Sequence, residues 1–264
     1  MTSAHQHKLP IWGTLGAAYR EWRRMVPALR PLVINAFLIV LAISALDEFI
    51  PARLAEQQLL GTAITLVEAA LRAFLLTPIL IAVHRFIILD EITKAYAVPL
   101  GESAFRRFFV WLFAFEVLAG LPFDFLGLLE ALNVTVAVTV AGLIAALIVI
   151  VALMVRLSIL PPAIAVEASG AQISAALEDT KGWGFRILAI FFAAIIPWLA
   201  VDLAFFALIG RGIAGTGSAA SIVGLVFGGL LQTAVLTLMA VIASLLFIAL
   251  GTHVRRHHRP GAPA

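Results

Sequence analysis

The run LNVTVAVTVAGLIAALIVIVALMVRL, from Leu132 to Leu157, carries a single charge, Arg156, next to its end. About 20 consecutive apolar residues are what an α-helix needs to cross a hydrocarbon core roughly 30 Å thick. Five further stretches read the same way: Pro31 to Ile50, Leu60 to Leu89, Phe108 to Leu129, Phe185 to Ile209 and Ser221 to Leu250. A β-barrel fits poorly, because its strands would be ~10 residues long and alternate in polarity. The expected fold class is all-α: a polytopic membrane protein built as a bundle of six transmembrane helices.

Composition agrees. Of 264 residues, 62% are hydrophobic and 12% charged, against about 45–50% and about 25% in ordinary soluble domains. Too few polar residues remain to cover the outside of a water-soluble core. A single membrane domain over 1–264 follows: an N-terminal segment 1–30, a bundle 31–250 and a basic tail 251–264. The first apolar run begins late for a signal peptide and is longer than the usual ~7–15 residues, so it reads as a retained anchor. Cysteine is absent, which excludes disulfides and thiolate chemistry. The basic residues are scattered over loop ends, which argues against a nucleic-acid partner.

Ahead of the first span, Trp12, Leu15, Tyr19, Trp22, Val26 and Leu29 recur at helical spacing, with Arg20, Arg23, Arg24 and Arg30 off that stripe. This suits an amphipathic helix in the membrane interface or one packed along the bundle's cytoplasmic edge. Pro27 and Pro31 should bend the chain into the first span.

Lysine and arginine set the orientation. With both termini inside, the inner segments hold Lys8, Arg20, Arg23, Arg24, Arg30, Arg85, Lys94, Arg106, Arg107, Arg156, Lys181, Arg186, Arg255, Arg256 and Arg259. The outer connections hold only Arg53 and Arg211, with the acids Asp47, Glu48, Glu56, Asp124 and Glu130 near them. Arg72 lies within the second span.

Charges at bilayer depth cost at least ~2.5–3.5 kcal/mol and mark candidate sites. Glu68 and Arg72 stand four apart on one helical face, either a self-neutralised pair or part of a polar site. Glu116 in the third span has no local partner, and Asp202 sits in the outer half of the fifth. Glu68, Arg72, Glu116 and Asp202 together form a candidate polar core, while Gln232 in the sixth span reads as a structural hydrogen-bonding residue. The histidines near the ends, His5, His7, His253, His257 and His258, read as solvated or headgroup-facing. The tail arginines would favour anionic lipid.

The inner loop 156–186 is the most patterned. Pro161 and Pro162 should end the fourth helix, and Ser169 should cap a short cytoplasmic helix starting near Gly170. Gly182 and Gly184 should release the chain into the fifth span. Arg156, then Pro162-Ala-Ile-Ala-Val-Glu167, then Thr180-Lys181-Gly182 and Arg186 resembles the recurring pattern of a group of uncharacterised bacterial six-helix membrane proteins. It is similar to the membrane domain attached to some glycerophosphoryl diester phosphodiesterases. Phe185 stands where tryptophan is more usual, and outside these residues the likeness is topological. The resemblance implies a protein of the bacterial cytoplasmic membrane, with no cofactor and no inherited reaction, because the catalytic barrel of those fusions is not expected here.

Three functions are in contention. The leading one is a non-enzymatic scaffold or modulator of the cell envelope, with lipid around it and a protein partner at its cytoplasmic loops. The others are a small-solute or ion transporter using Glu68, Arg72 and Glu116, and an intramembrane lipid-processing enzyme. No HExxH, GxxxxGK[ST] or GxSxG motif is present.

Overall fold

The computed structural model describes residues 9–49, 58–131, 135–212 and 217–255. The expectations placed on His5, His7, Lys8, Arg53, Glu56, Arg256, His257, His258 and Arg259 lie outside these residues, as do the side chains of Asp47, Glu48, Asp124, Glu130 and Arg211. Within them the chain is helical: α1 Ile11–Ala28, α2 Arg30–Phe49, α3 Gln58–Leu89, α4 Ser103–Ala131, α5 Val136–Leu157, α6 Leu160–Ala165, α7 Ile173–Asp179, α8 Gly184–Gly212 and α9 Gly217–Leu250. Among the described residues four helical stretches are long and apolar enough to cross a membrane: Gly61–Leu89, Val136–Ala165, Gly184–Leu208 and Ile222–Leu250. A fifth arises if α1 and α2, bent by 94°, count as one. The bend falls where the sequence places Pro31, whose missing N–H cannot continue the α1 ladder onto Pro27.

α9 is the central helix. It packs on α1, α2, α3, α6 and α8, and its Leu238, Val241, Ile242 and Leu246 are buried. α3 packs on α4 and α2, α4 packs on α5, and α5 reaches α8 rather than α9. α3, α4, α5, α8 and α9 therefore close into a ring. The short helices α6 and α7 lie across one end of it, the junction end, where α6 packs against α3, α4 and α9.

α1 docks by its apolar face. Ala18 and Met25 are fully buried. Tyr19 donates its hydroxyl proton to the Ala194 carbonyl at 3.0 Å, and the Trp22 indole N–H donates to Thr237 Oγ1 at 2.9 Å. Trp22 meets Trp198 edge-on at 5.7 Å. Arg20, Arg23 and Arg24 are exposed, as the stripe requires. Trp12, expected on the docked stripe, is instead 77% exposed, in keeping with an aromatic anchor at a membrane surface.

The 156–186 segment corrects three expectations. α5 ends at Leu157, before the prolines, and Pro161 and Pro162 stand in the first turn of α6, where a missing N–H costs nothing. α7 begins at Ile173, and Gln172, not Ser169, occupies its N-cap without a side-chain hydrogen bond. His253, expected to be solvated or headgroup-facing, instead docks with Val254 on Asp179 of α7.

Met25→Ala should cost about 2–5 kcal/mol, the range for emptying a buried methionine site, whereas Arg23→Ala on the exposed face should stay within about 0.5 kcal/mol. Thermal unfolding of the two variants in detergent separates a docked α1 from a loosely attached one.

Candidate functional site

A helix ends with carbonyls that lack an intrahelical partner. At the junction such carbonyls, and one in the turn between α6 and α7, are met by arginines from three different helices. Arg85, in the last turns of α3, donates Nε–H to the Ala165 carbonyl at the end of α6, at 2.9 Å. Arg107 of α4 donates to the Ala171 carbonyl at 2.6 Å. Arg156 of α5 donates to the Leu177 carbonyl at 2.5 Å and to Thr180 Oγ1 at 3.1 Å. Thr180, fully buried, has its single hydroxyl proton shared between the Arg156 and Ala176 carbonyls, 2.9 and 2.7 Å away. Arg156 and Thr180, distant in sequence, are thus reciprocal partners that tie α7 to the end of α5.

The other motif residues shape the backbone or face outward. Glu167 adopts φ +52°, with Ala168 N–H bonded to the Ala163 carbonyl and Glu167 N–H to that of Ile164. This left-handed helix stop usually takes glycine; here the Glu167 carboxylate accepts the Ser103 hydroxyl at 3.1 Å. Gly182, at φ +82°, takes a conformation that side chains disfavour. Pro162 is buried, Lys181 is exposed, and Arg186 stacks on the Trp183 ring at 5.1 Å.

Asp179, which the sequence reading missed, holds the C-terminal turn. Its carboxylate accepts the His253 and Val254 backbone N–H groups at 3.0 and 3.1 Å, the Thr252 hydroxyl at 2.7 Å and His253 Nδ1 at 2.5 Å. Gly170 permits this approach, since a Cβ there would lie 2.5 Å from the His253 carbonyl oxygen. Burial pushes the Asp179 carboxyl up, but the donors from His253, Thr252 and Val254 outweigh it and hold the group below the ordinary carboxylate value. Arg255 donates to the Phe247 and Ile248 carbonyls at the end of α9.

The candidate polar core divides. Arg72 and Glu68 form an ion pair at 2.5 Å, both side chains mostly buried. Glu116 lies within the electrostatic reach of Arg72 across the contact of α3 with α4. Asp202 does not join them. It is carried by α8, which packs on α1, α5 and α9, and among the described residues it makes no hydrogen bond or ion pair.

Inside the ring lies a cavity of about 540 Å³, lined by Leu80, Phe108, Trp111, Met154, Phe191, Met239 and further apolar side chains. Its size falls within the roughly 300–1,000 Å³ typical of ligand sites. Neither this cavity nor a smaller one of about 240 Å³ between α1, α2 and α9 is lined by Glu68, Arg72 or Glu116. The polar lining of the larger is His84, Ser158 and Gln232. His84 lies within the second span, where any titratable residue is a signal, yet no motif in the sequence singles it out. Gln232, expected to bond structurally, is exposed and has no hydrogen-bond partner among the described residues.

No family model, curated protein or solved structure matches this chain.

Because the folded Asp179 carboxyl titrates low, its clamp should be at full strength above the unfolded carboxylate value of about 3.9 and be lost as pH falls through the depressed one. A fluorophore at position 255 should therefore stay immobilised at neutral pH and gain mobility only in acid, while Asp179→Ala should free it at every pH. For the ion pair, Arg72→Ala and Glu68→Ala together should cost less than the sum of the single changes, with a coupling of ~1–3 kcal/mol. Strict additivity in detergent unfolding would remove the pair as a unit.

Proposed function

We propose that this chain is a non-enzymatic six-span protein of the bacterial cytoplasmic membrane that acts as a scaffold or modulator of the envelope, with the junction as its partner-binding face. The observation that carries this reading is how the junction's polar residues are used. Arg85, Arg107, Arg156, Thr180 and Asp179 are occupied with bonds that fix the segment. What remains for the surface is a firm platform of exposed Ile173, Ser174, Glu178 and Lys181. That arrangement suits recognition better than chemistry.

Six spans follow if α2 and α4 also cross. α2 has 20 residues and α4 has 29, and ~20 residues at 1.5 Å each suffice for the core. α1 is then the amphipathic helix outside the count. Arg85, Arg107, Arg156 and Arg186, together with the docked C-terminal turn, belong to one end of the bundle, which the positive-inside rule assigns to the cytoplasm together with both termini. The resemblance to the membrane domain attached to some glycerophosphoryl diester phosphodiesterases is consistent with this placement. The motif residues Arg156, Thr180 and Gly182 each have a structural task here, which accounts for the pattern without a reaction.

Transport of a small solute or ion is the second reading, and it draws on Glu68, Arg72 and Glu116. A closed ion pair away from both cavities serves helix packing better than passage. An intramembrane enzyme is less supported. His84 Nδ1 and Ser244 Oγ lie 2.7 Å apart, but among the described residues no third group bonds His84 Nε2 to orient it as a base, and Ser244 Oγ also lies 2.9 Å from the Ala240 carbonyl.

Cross-linking in cells followed by mild solubilisation should recover a reproducible protein partner with the wild-type chain. The variant Ile173→Asp/Lys181→Glu should lose it at unchanged thermal stability, since both residues are exposed. Equal recovery with the variant, or no reproducible partner with the wild type, would remove the platform reading.

A further inference from the structure

The ring cavity has a chemical bias that selects its guest. α9 contributes Gln232, Leu236, Met239 and Ala243 along one stripe. Ser244, beside that stripe, has its Oγ 2.9 Å from the Ala240 carbonyl and 2.7 Å from His84 Nδ1; a carbonyl only accepts, so the assignment that makes both contacts hydrogen bonds puts the one Ser244 proton on the carbonyl and the imidazole proton on Nδ1. In a neutral imidazole this fixes Nδ1 as the donor and leaves Nε2 as a bare acceptor. His84 is 98% buried, being 2% exposed, and it lines the cavity. Among the described residues nothing hydrogen-bonds its Nε2. From the level of His84 and Ser244 up to Gln232 the stripe rises through twelve residue steps of helix, about 18 Å at 1.5 Å per step. That is close to one leaflet of hydrocarbon, about half of the ~30 Å core.

From these features we infer that the cavity binds a neutral single-chain lipid bearing a free hydroxyl, with the hydroxyl proton donated to His84 Nε2 and the chain running along α9 toward Gln232. Each part of the choice has a physical cause. The lining holds no Lys, Arg, Asp or Glu, so a carboxylate or phosphate would enter a dry site without a counter-charge. A plain hydrocarbon would satisfy the walls and leave Nε2 unpaired, the loss that lets such sites reject analogues lacking the hydroxyl. An uncharged hydroxyl at the end of a chain meets both demands. Bond formation is the whole event; no covalent step is involved. The inference is independent of the junction's partner, because the cavity residues and the exposed platform are different groups.

Trp111 lines the cavity and provides the readout. The full chain, purified in an unbrominated detergent, is titrated with a long-chain alcohol brominated along its chain, and tryptophan fluorescence is followed. Saturable quenching is expected, with its saturable part removed by Trp111→Phe. Ala240→Phe and Ala243→Leu, which fill the cavity from α9, should each abolish saturation, and helical circular dichroism verifies that the variants fold. His84→Leu should weaken the alcohol about fivefold to tenfold, the scale of one hydrogen bond, and leave binding of the brominated alkane unchanged. Quenching that never saturates, or that persists in both filled variants, would overturn the site. Equal affinity for alcohol, alkane and brominated fatty acid at neutral pH, indifferent to His84→Leu, would overturn the hydroxyl assignment.

Discussion

Backbone carbonyls at helix ends have no partner of their own, and at the edge of a membrane protein buried between helices they cannot all turn to water. This constraint organises the junction end. Arginines from α3, α4 and α5 each donate to a carbonyl of the segment that joins α5 to α8, and Arg255 does the same for α9. Guanidinium suits the task because it stays charged and presents donors in a fixed fork. The excess of basic residues at this end is thus partly spent on structure: the same arginines hold the helix ends together.

The same ties explain why the ring stays hollow. α6 spans the ring's end with six buried residues and packs on α3, α4 and α9. α5 is held by α4, α7 and α8 and so stands away from α9. The apolar walls of the resulting cavity lose little by this, because lipid chains are as apolar as a leucine core and can fill space that water would have to leave empty. Solvent therefore does not force the ring to collapse, as it would in a soluble bundle.

The long helices were legible along the chain. Among the described residues four of the six expected runs, those near 60–89, 132–157, 185–209 and 221–250, fall on helices long and apolar enough to cross a membrane, since hydropathy over ~20 residues is a local property. The Glu68–Arg72 pair was legible for the same reason, being one helical turn apart. The motif of 156–186 was visible as a pattern, but the partners it serves were not. Arg107 and Ala171 are joined across 64 positions, and Asp179 meets His253 across 74. Spacing cannot reveal pairings of that kind. Asp202 was grouped with Glu68 by depth alone, whereas helix neighbours decide contact, and α8 is not a neighbour of α3.

By itself the sequence determined that this chain is helical, that several of its helices are built for an apolar solvent, and that its cations gather on alternate connections. These are consequences of residue type and period, which need no knowledge of neighbours. Only the tertiary structure decided which carbonyls the arginines answer, that the C-terminal turn folds back onto Asp179, and that five helices close around a space with His84 at one end. Those outcomes depend on which helix faces meet, and hydropathy, being much the same all round a membrane helix, carries too little direction to choose among them.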